Sequence, residues 1–164
     1  MFVPQPTNAQ AFLKDRKDPP VAVFWWPRRS YASCDGTVAV NTGPWVREWG
    51  KAVGYFTTVW KRQPDGGWKW VYDAGDELKA ARPEGGDVKP VAASCGGTRT
   101  APRGYGVPGT FVGPVKYGSG ISNDQTLAWT WAVDSRGARQ FVVQQWTGKD
   151  WTIVVHDRSA AASE

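Results

Sequence analysis

The sequence predicts an α+β protein dominated by antiparallel sheet, with one short N-terminal helix and two related three-strand sheet units. Three observations carry that prediction. Ser33 to Asp73 and Ser122 to Asp157 read as two versions of one unit: Ser33-Cys34-Asp35-Gly36-Thr37-Val38-Ala39-Val40 answers to Ser122-Asn123-Asp124-Gln125-Thr126-Leu127-Ala128-Trp129, and each unit closes with a hairpin whose link ends at Trp68 or Trp151. A helical pattern with start and stop signals occurs once, near the N-terminus. Eleven tryptophans and 41% hydrophobic residues in 164 give enough rigid apolar bulk for a packed core.

Taken in order, Met1 to Thr7 alternates apolar residues with prolines and suits an edge strand or extended arm. Asn8 to Arg16 is the helix, capped by Thr7 or Asn8 and stopped before Pro19-Pro20. Val21 to Trp26 is a continuous run of β-formers, which predicts a strand covered on both faces and halted at Pro27. Further strands are expected near Tyr31 to Ser33, Thr37 to Thr42, Val53 to Arg62 and Trp68 to Asp73.

Whether Asp65-Gly66 forms a two-residue turn or Pro64 to Gly67 a four-residue loop, Gln63 is expected opposite Trp68, Lys61 opposite Trp70 and Val59 opposite Tyr72. One face then carries Tyr55, Thr57, Val59, Lys61, Trp68, Trp70 and Tyr72, the other Phe56, Thr58, Trp60, Val71 and Asp73. Both faces are largely apolar, so each needs a cover of helix, sheet, ligand or partner. In the second hairpin, linked by Thr147 to Asp150, Trp146 falls opposite Trp151, Gln144 opposite Ile153 and Val142 opposite Val155. His156, the single histidine, occupies the place that Asp73 has in the first unit.

Asp76 to Gly120 holds ten of the nineteen glycines and five of the twelve prolines, so it reads as linker or functional loop. The chain divides into 1–77, a first sheet unit; 78–120, a Gly/Pro-rich linker; 121–158, a second three-strand unit; and 159–164, a polar tail. Cys34 and Cys95 are either two buried thiols or one disulfide, and without further Cys or His ligands they make no metal site. The net charge of +5 is scattered over Arg28, Arg29, Lys61, Arg62, Lys79, Arg82, Arg99 and Arg103 without a basic block, which speaks for a solvated surface and against a nucleic-acid partner. No stretch has the length of a membrane span and no targeting segment is visible.

Trp25-Trp26-Pro27, Ser33-Cys34-Asp35-Gly36, Asn41-Thr42-Gly43-Pro44-Trp45 and above all the run from Gly54 to Gly75 resemble the uncharacterised bacterial branch of the nuclear transport factor 2-like superfamily. That superfamily includes ketosteroid isomerases and SnoaL-like cyclases. The resemblance covers roughly residues 2–77, and Trp151 to Ser159 looks like the last strand of the same superfamily. It implies a cone: a strongly curved antiparallel sheet whose concave face, closed by helices, forms an apolar pocket. Members begin with long helices that wall this pocket, whereas here the chain starts at what looks like the first strand. That leaves open that Met1 is an internal residue of a longer protein.

The expected function is binding of a small apolar ligand, with Trp60, Val71, Tyr72, Asp73 and His156 as ligand-binding candidates and no cofactor. Asp73 and His156 are the catalytic candidates for a cyclase or isomerase, because burial among tryptophans raises a carboxylate pKa toward that of a useful general base. Tyr55 or Tyr72 would be the hydroxyl beside Asp73. Against this stand the ordinary readings of Asp73 as a turn cap and of His156 as a satisfied strand residue. The alternative is a noncatalytic module that dimerises through a sheet face. The pairs Trp68/Trp70 and Trp129/Trp131 form either a core or a stacking platform. A Ser159-based triad is rejected, because neighbours in sequence do not form one. Gly104-Tyr105-Gly106 lacks the third glycine of a dinucleotide fingerprint.

Overall fold

A computed structural model describes residues 5–82, 87–102, 104 and 110–161. The first four residues of the expected N-terminal arm, Tyr105-Gly106 and the last three residues of the tail lie outside the described residues. Antiparallel strand dominates, and the described residues contain one α-helix, α1 (Ala9–Leu13). Asn8 caps it as expected, its side-chain oxygen accepting from the Ala11 amide at 3.0 Å.

Strands β1 (Phe24–Trp25), β2 (Arg29–Ala32), β3 (Val38–Arg47), β4 (Ala52–Arg62), β5 (Trp68–Leu78) and β6 (Lys89–Ala92) form one sheet. Its order is β5-β4-β3-β2-β6, with β1 paired to β3. Strands β7 (Val115–Ile121), β8 (Leu127–Asp134), β9 (Arg139–Trp146) and β10 (Trp151–Ser159) form a second sheet in the order β10-β9-β8-β7. The described chain groups into two compact units, Met1–Ser30 with Ala39–Val91, and Tyr31–Val38 with Ala92–Glu164.

In the first unit, the apolar run Val21 to Trp26 departs from expectation. Only Phe24 and Trp25 pair, opposite Val46 and Trp45, and both stay exposed, at 68% and 54%. An apolar run states what would bury well, not what is available to cover it. The β4–β5 hairpin also departs from the expected register. Its loop has three residues, Pro64-Asp65-Gly66, closed by the Gln63 amide on the Gly67 carbonyl at 2.7 Å, with Gly66 at φ +83°. An odd loop moves the pairing by one, so that Arg62 faces Trp68, Lys61 faces Lys69 and Trp60 faces Trp70. Val71 is then the extra residue of a β-bulge, and beyond it Val59 pairs with Tyr72 as expected.

In the second unit, two turns carry the same hydrogen-bond scheme. Ser33 Oγ donates to Asp35 Oδ1 at 2.6 Å and accepts from the Thr37 and Val38 amides, each at 3.1 Å. Ser122 Oγ donates to Asp124 Oδ1 at 2.6 Å and accepts from the Thr126 and Leu127 amides at 3.0 and 3.1 Å. The turns also hold each other: the Asp35 amide donates to Asp124 Oδ2 at 2.8 Å and the Asp124 amide to Asp35 Oδ2 at 3.1 Å. Burial raises the Asp35 pKa, but bonds from Ser33, Thr37 and the Asp124 amide outweigh it and hold the carboxylate below its ordinary range. Beside this pair a disulfide joins Cys34 to Cys95, with Cα atoms 5.2 Å apart. It resolves the two cysteine readings in favour of the bridge and ties the segment before β7 to the first turn.

Strand β7 lies inside the stretch read as a linker. It was hidden by its glycines, whose role is packing rather than freedom. Gly118 pairs with Trp131 and Gly120 with Trp129, and a Cβ on Gly120 would fall 2.0 Å from the Trp129 ring. Each indole therefore lies across a bare backbone, which leaves Trp129 only 9% exposed. At the far end of the sheet Trp146 and Trp151 pack edge to face at 5.9 Å, their Nε1 groups donating to the Gly96 and Thr100 carbonyls. The β9–β10 hairpin is regular from Trp146–Trp151 to Gln144–Ile153. Val154 then bulges, so that Val142 faces His156 and not Val155.

Gly120→Ala is expected to destabilise the fold by about 1–3 kcal/mol, since the methyl must displace an indole. Gly104→Ala, with open space around it, is expected to stay within about 0.5 kcal/mol of the parent in urea unfolding.

Candidate functional site

The off-by-one loop and the Val71 bulge together build a cavity in the first unit. Strand alternation turns Phe56, Thr58 and Trp60 of β4 to one side. Because the bulge intervenes, β5 sends both Trp70 and Asp73 to that same side. Trp25 and Trp45 add two further indoles, and Val23 and Leu13 of α1 complete a lining around about 310 Å³. Trp25 meets Phe56 edge to face at 5.1 Å, and Trp45 Nε1 is spent on the Tyr55 carbonyl at 2.9 Å. The indole faces, not their N–H groups, therefore shape this wall.

Asp73 is the one charged residue in the cavity's described lining. It sits opposite Thr58, whose Oγ1 donates to Asp73 Oδ1 at 2.6 Å. Burial pushes the carboxyl above its ordinary value of 3.8, and the Thr58 bond opposes that push without cancelling it. Asp73 also lines a broader groove of about 540 Å³, bordered by Arg47, Asp76 and Glu77 and sharing Val23, Trp45 and Phe56 with the cavity. The acid thus stands where an apolar chamber meets a polar approach. Trp60 Nε1 is buried with no hydrogen-bond partner, the one such side-chain atom among the described residues. Leaving a buried donor unpaired costs about 1–3 kcal/mol. An unpaired donor of this kind calls for a partner such as a water or a ligand atom.

Of the sequence candidates, Trp60 and Asp73 line the cavity. Val71 does not: it is the bulged residue, 49% exposed. Tyr72 is buried opposite Val59, and Tyr55 is buried beneath the Arg82 guanidinium, 3.8 Å from its ring centre. The hydroxyl that reaches Asp73 is that of Thr58, two residues from Trp60 on the same strand face. His156 lies in the second unit, exposed on β10, where its Nε2 accepts from Arg158 Nε at 3.1 Å. Its pKa is lowered, first by partial desolvation of the ring and then by the Arg158 charge. Leu13, Val23, Trp25 and Trp45 also line the cavity, and local sequence does not mark them, because their place depends on what folds over the sheet.

No family model, curated protein or solved structure matches this chain. The nuclear transport factor 2-like resemblance rests on its sequence motifs. Among the described residues there is no group of three or more His, Cys, Asp or Glu side chains able to hold a metal ion, and no helix long and apolar enough to cross a membrane.

The folded state binds the Asp73 proton more tightly than the unfolded chain does. Its contribution to stability is therefore full below pH 3.8 and is lost as pH rises through the raised value. Asp73→Asn, which keeps an acceptor for Thr58, is expected to be more stable than the parent near neutral pH. The difference should close in acid, as read from urea midpoints across the range.

Proposed function

We propose that the first unit binds a small apolar, ring-bearing ligand in the cavity walled by Trp25, Trp45, Phe56, Trp60 and Trp70, in the manner of a nuclear transport factor 2-like pocket on a curved, cone-type sheet. The observation that supports this most is a single carboxyl of raised pKa inside an aromatic chamber of ligand size. A structural core would seat an apolar residue there. In an enzymatic form of this reading, Asp73 is the group that takes or gives a proton at the ligand's polar atom, with Thr58 orienting it. His156, held on β10 by Arg158, has no part in that step.

Sheet-face dimerisation is the second reading, and a specific observation favours it. Phe24, Trp68 and Val71 are exposed at 68%, 45% and 49%. Common descent of the two sheet units is supported by the shared Ser-x-Asp turn scheme. It is also supported by bulges at Val71 and Val154, each three residues after the tryptophan that opens its strand.

Titration with 2-naphthol, followed by tryptophan emission, tests the pocket. The expected result is saturable quenching with Kd of about 10–100 µM, weakened about tenfold by Phe56→Ala. Quenching that is linear in probe and indifferent to Phe56→Ala would refute it. Light scattering on a size-exclusion column tests the second reading, which predicts a dimer and fails on a strict monomer.

A further inference from the structure

We propose that the second unit carries a separate site for a phosphate-bearing small molecule, formed by Arg136, Arg139 and Arg158 around a cavity of about 380 Å³ at one end of the four-stranded sheet. The β8–β9 turn, the end of β10 and residues 110–112 meet there. The β8–β9 connection is Ser135-Arg136-Gly137, with the Asp134 amide bonded to the Ala138 carbonyl at 3.0 Å and Gly137 at φ +87°. That geometry leaves Arg136 exposed at the turn's corner. On β10, Arg158 pairs with Gln140, and Ser159 pairs with Arg139. Arg136 and Arg139 of the β8–β9 hairpin and Arg158 near the end of β10 thus line one concavity.

The charge balance favours an anion. Asp134 is the one acidic residue in the described lining, so three cations against one carboxylate leave it at +2. Asp134 is buried and already engaged with backbone amides. Its Oδ2 accepts from Val112 at 2.9 Å, and its Oδ1 accepts from Arg136 at 2.9 Å and Ala138 at 3.0 Å. These bonds, that from Val112 foremost, hold it ionised and facing the main chain. Its role is to fix the turn that presents Arg136.

The guanidinium of Arg136 makes no hydrogen bond or ion pair among the described residues, and Arg158 spends only its Nε, on His156. The terminal nitrogens of Arg158 therefore remain as a donor pair. Planar guanidinium forks match the oxygens of a phosphate group better than ammonium ions do, and gain most where several converge. Phe111 and Ala160 line the same cavity and would cover an apolar body attached to the phosphate. His156, the one histidine, thereby has a place: neutral, it accepts from Arg158 at the rim of an anion site and takes no part in the aromatic cavity.

The test is calorimetric titration of the whole chain with phenyl phosphate and with inorganic phosphate, at fixed ionic strength. Phenyl phosphate is expected to bind one to one with Kd of about 0.1 mM, and inorganic phosphate more weakly. Arg136→Ala and Arg158→Ala are each expected to weaken binding about tenfold. Lys69→Ala, which removes the same charge from β5, should change it less than about twofold. Absence of binding near 10 mM probe would overturn the site. So would arginine variants that bind like the parent, or a Lys69→Ala loss equal to theirs, which would mean net charge alone attracts the anion.

Discussion

Everything at the aromatic cavity depends on the register of one hairpin. In a regular β4–β5 pair, Trp70 would lie opposite Lys61 and turn away from Trp60. The three-residue loop displaces the pairing by one, and the Val71 bulge displaces it back. Between those two irregularities, Trp60 and Trp70 become cross-strand partners on the cavity side. Beyond them, Asp73 still meets Thr58 at hydrogen-bond distance. Two local departures from ideal pairing thus place two indoles and one acid on a single face, which simple alternation along β5 would not do.

The sequence showed the elements better than it showed their covers. The Asn8 cap, the strands of both hairpins and the likeness of the Ser33 and Ser122 segments follow from local chemistry, which a sequence records most directly. The pairing of Val59 with Tyr72 agrees with simple counting only because the loop and the bulge cancel. The loop of Pro64-Asp65-Gly66 was within reach too, because glycine after Pro-Asp is the signature of a type I turn followed by a left-handed residue. The bulges at Val71 and Val154 were not, since valine serves equally in a regular strand. Strand β7 went unread because glycine usually signals freedom, while Gly118 and Gly120 provide the space that Trp131 and Trp129 fill. Of the candidate site, Trp60 and Asp73 were legible from burial chemistry. Trp25, Trp45 and Leu13 were not, because their contribution comes from segments far away in sequence.

The two units place charge in opposite ways. The first isolates a carboxyl among aromatic rings, where burial favours its neutral form and so opposes folding at neutral pH. The second unit gathers its acids into turns, where amides from Val112, Arg136 and Ala138 satisfy Asp134, and the reciprocal pair of Asp35 and Asp124 satisfies itself. Arginines are left facing the cavity at the end of that sheet. An acid kept where it is costly and acids kept where they are satisfied point to different uses, ligand chemistry in one case and architecture in the other.

The register of the β4–β5 hairpin is open to direct observation by cross-strand backbone NOEs in an isotope-labelled sample. Contacts of Trp60 with Trp70 and of Thr58 with Asp73, with Val71 lacking a partner, are the predicted result. Contacts of Lys61 with Trp70 would mean a regular hairpin in which Trp70 leaves the cavity, and would contradict the account of the site.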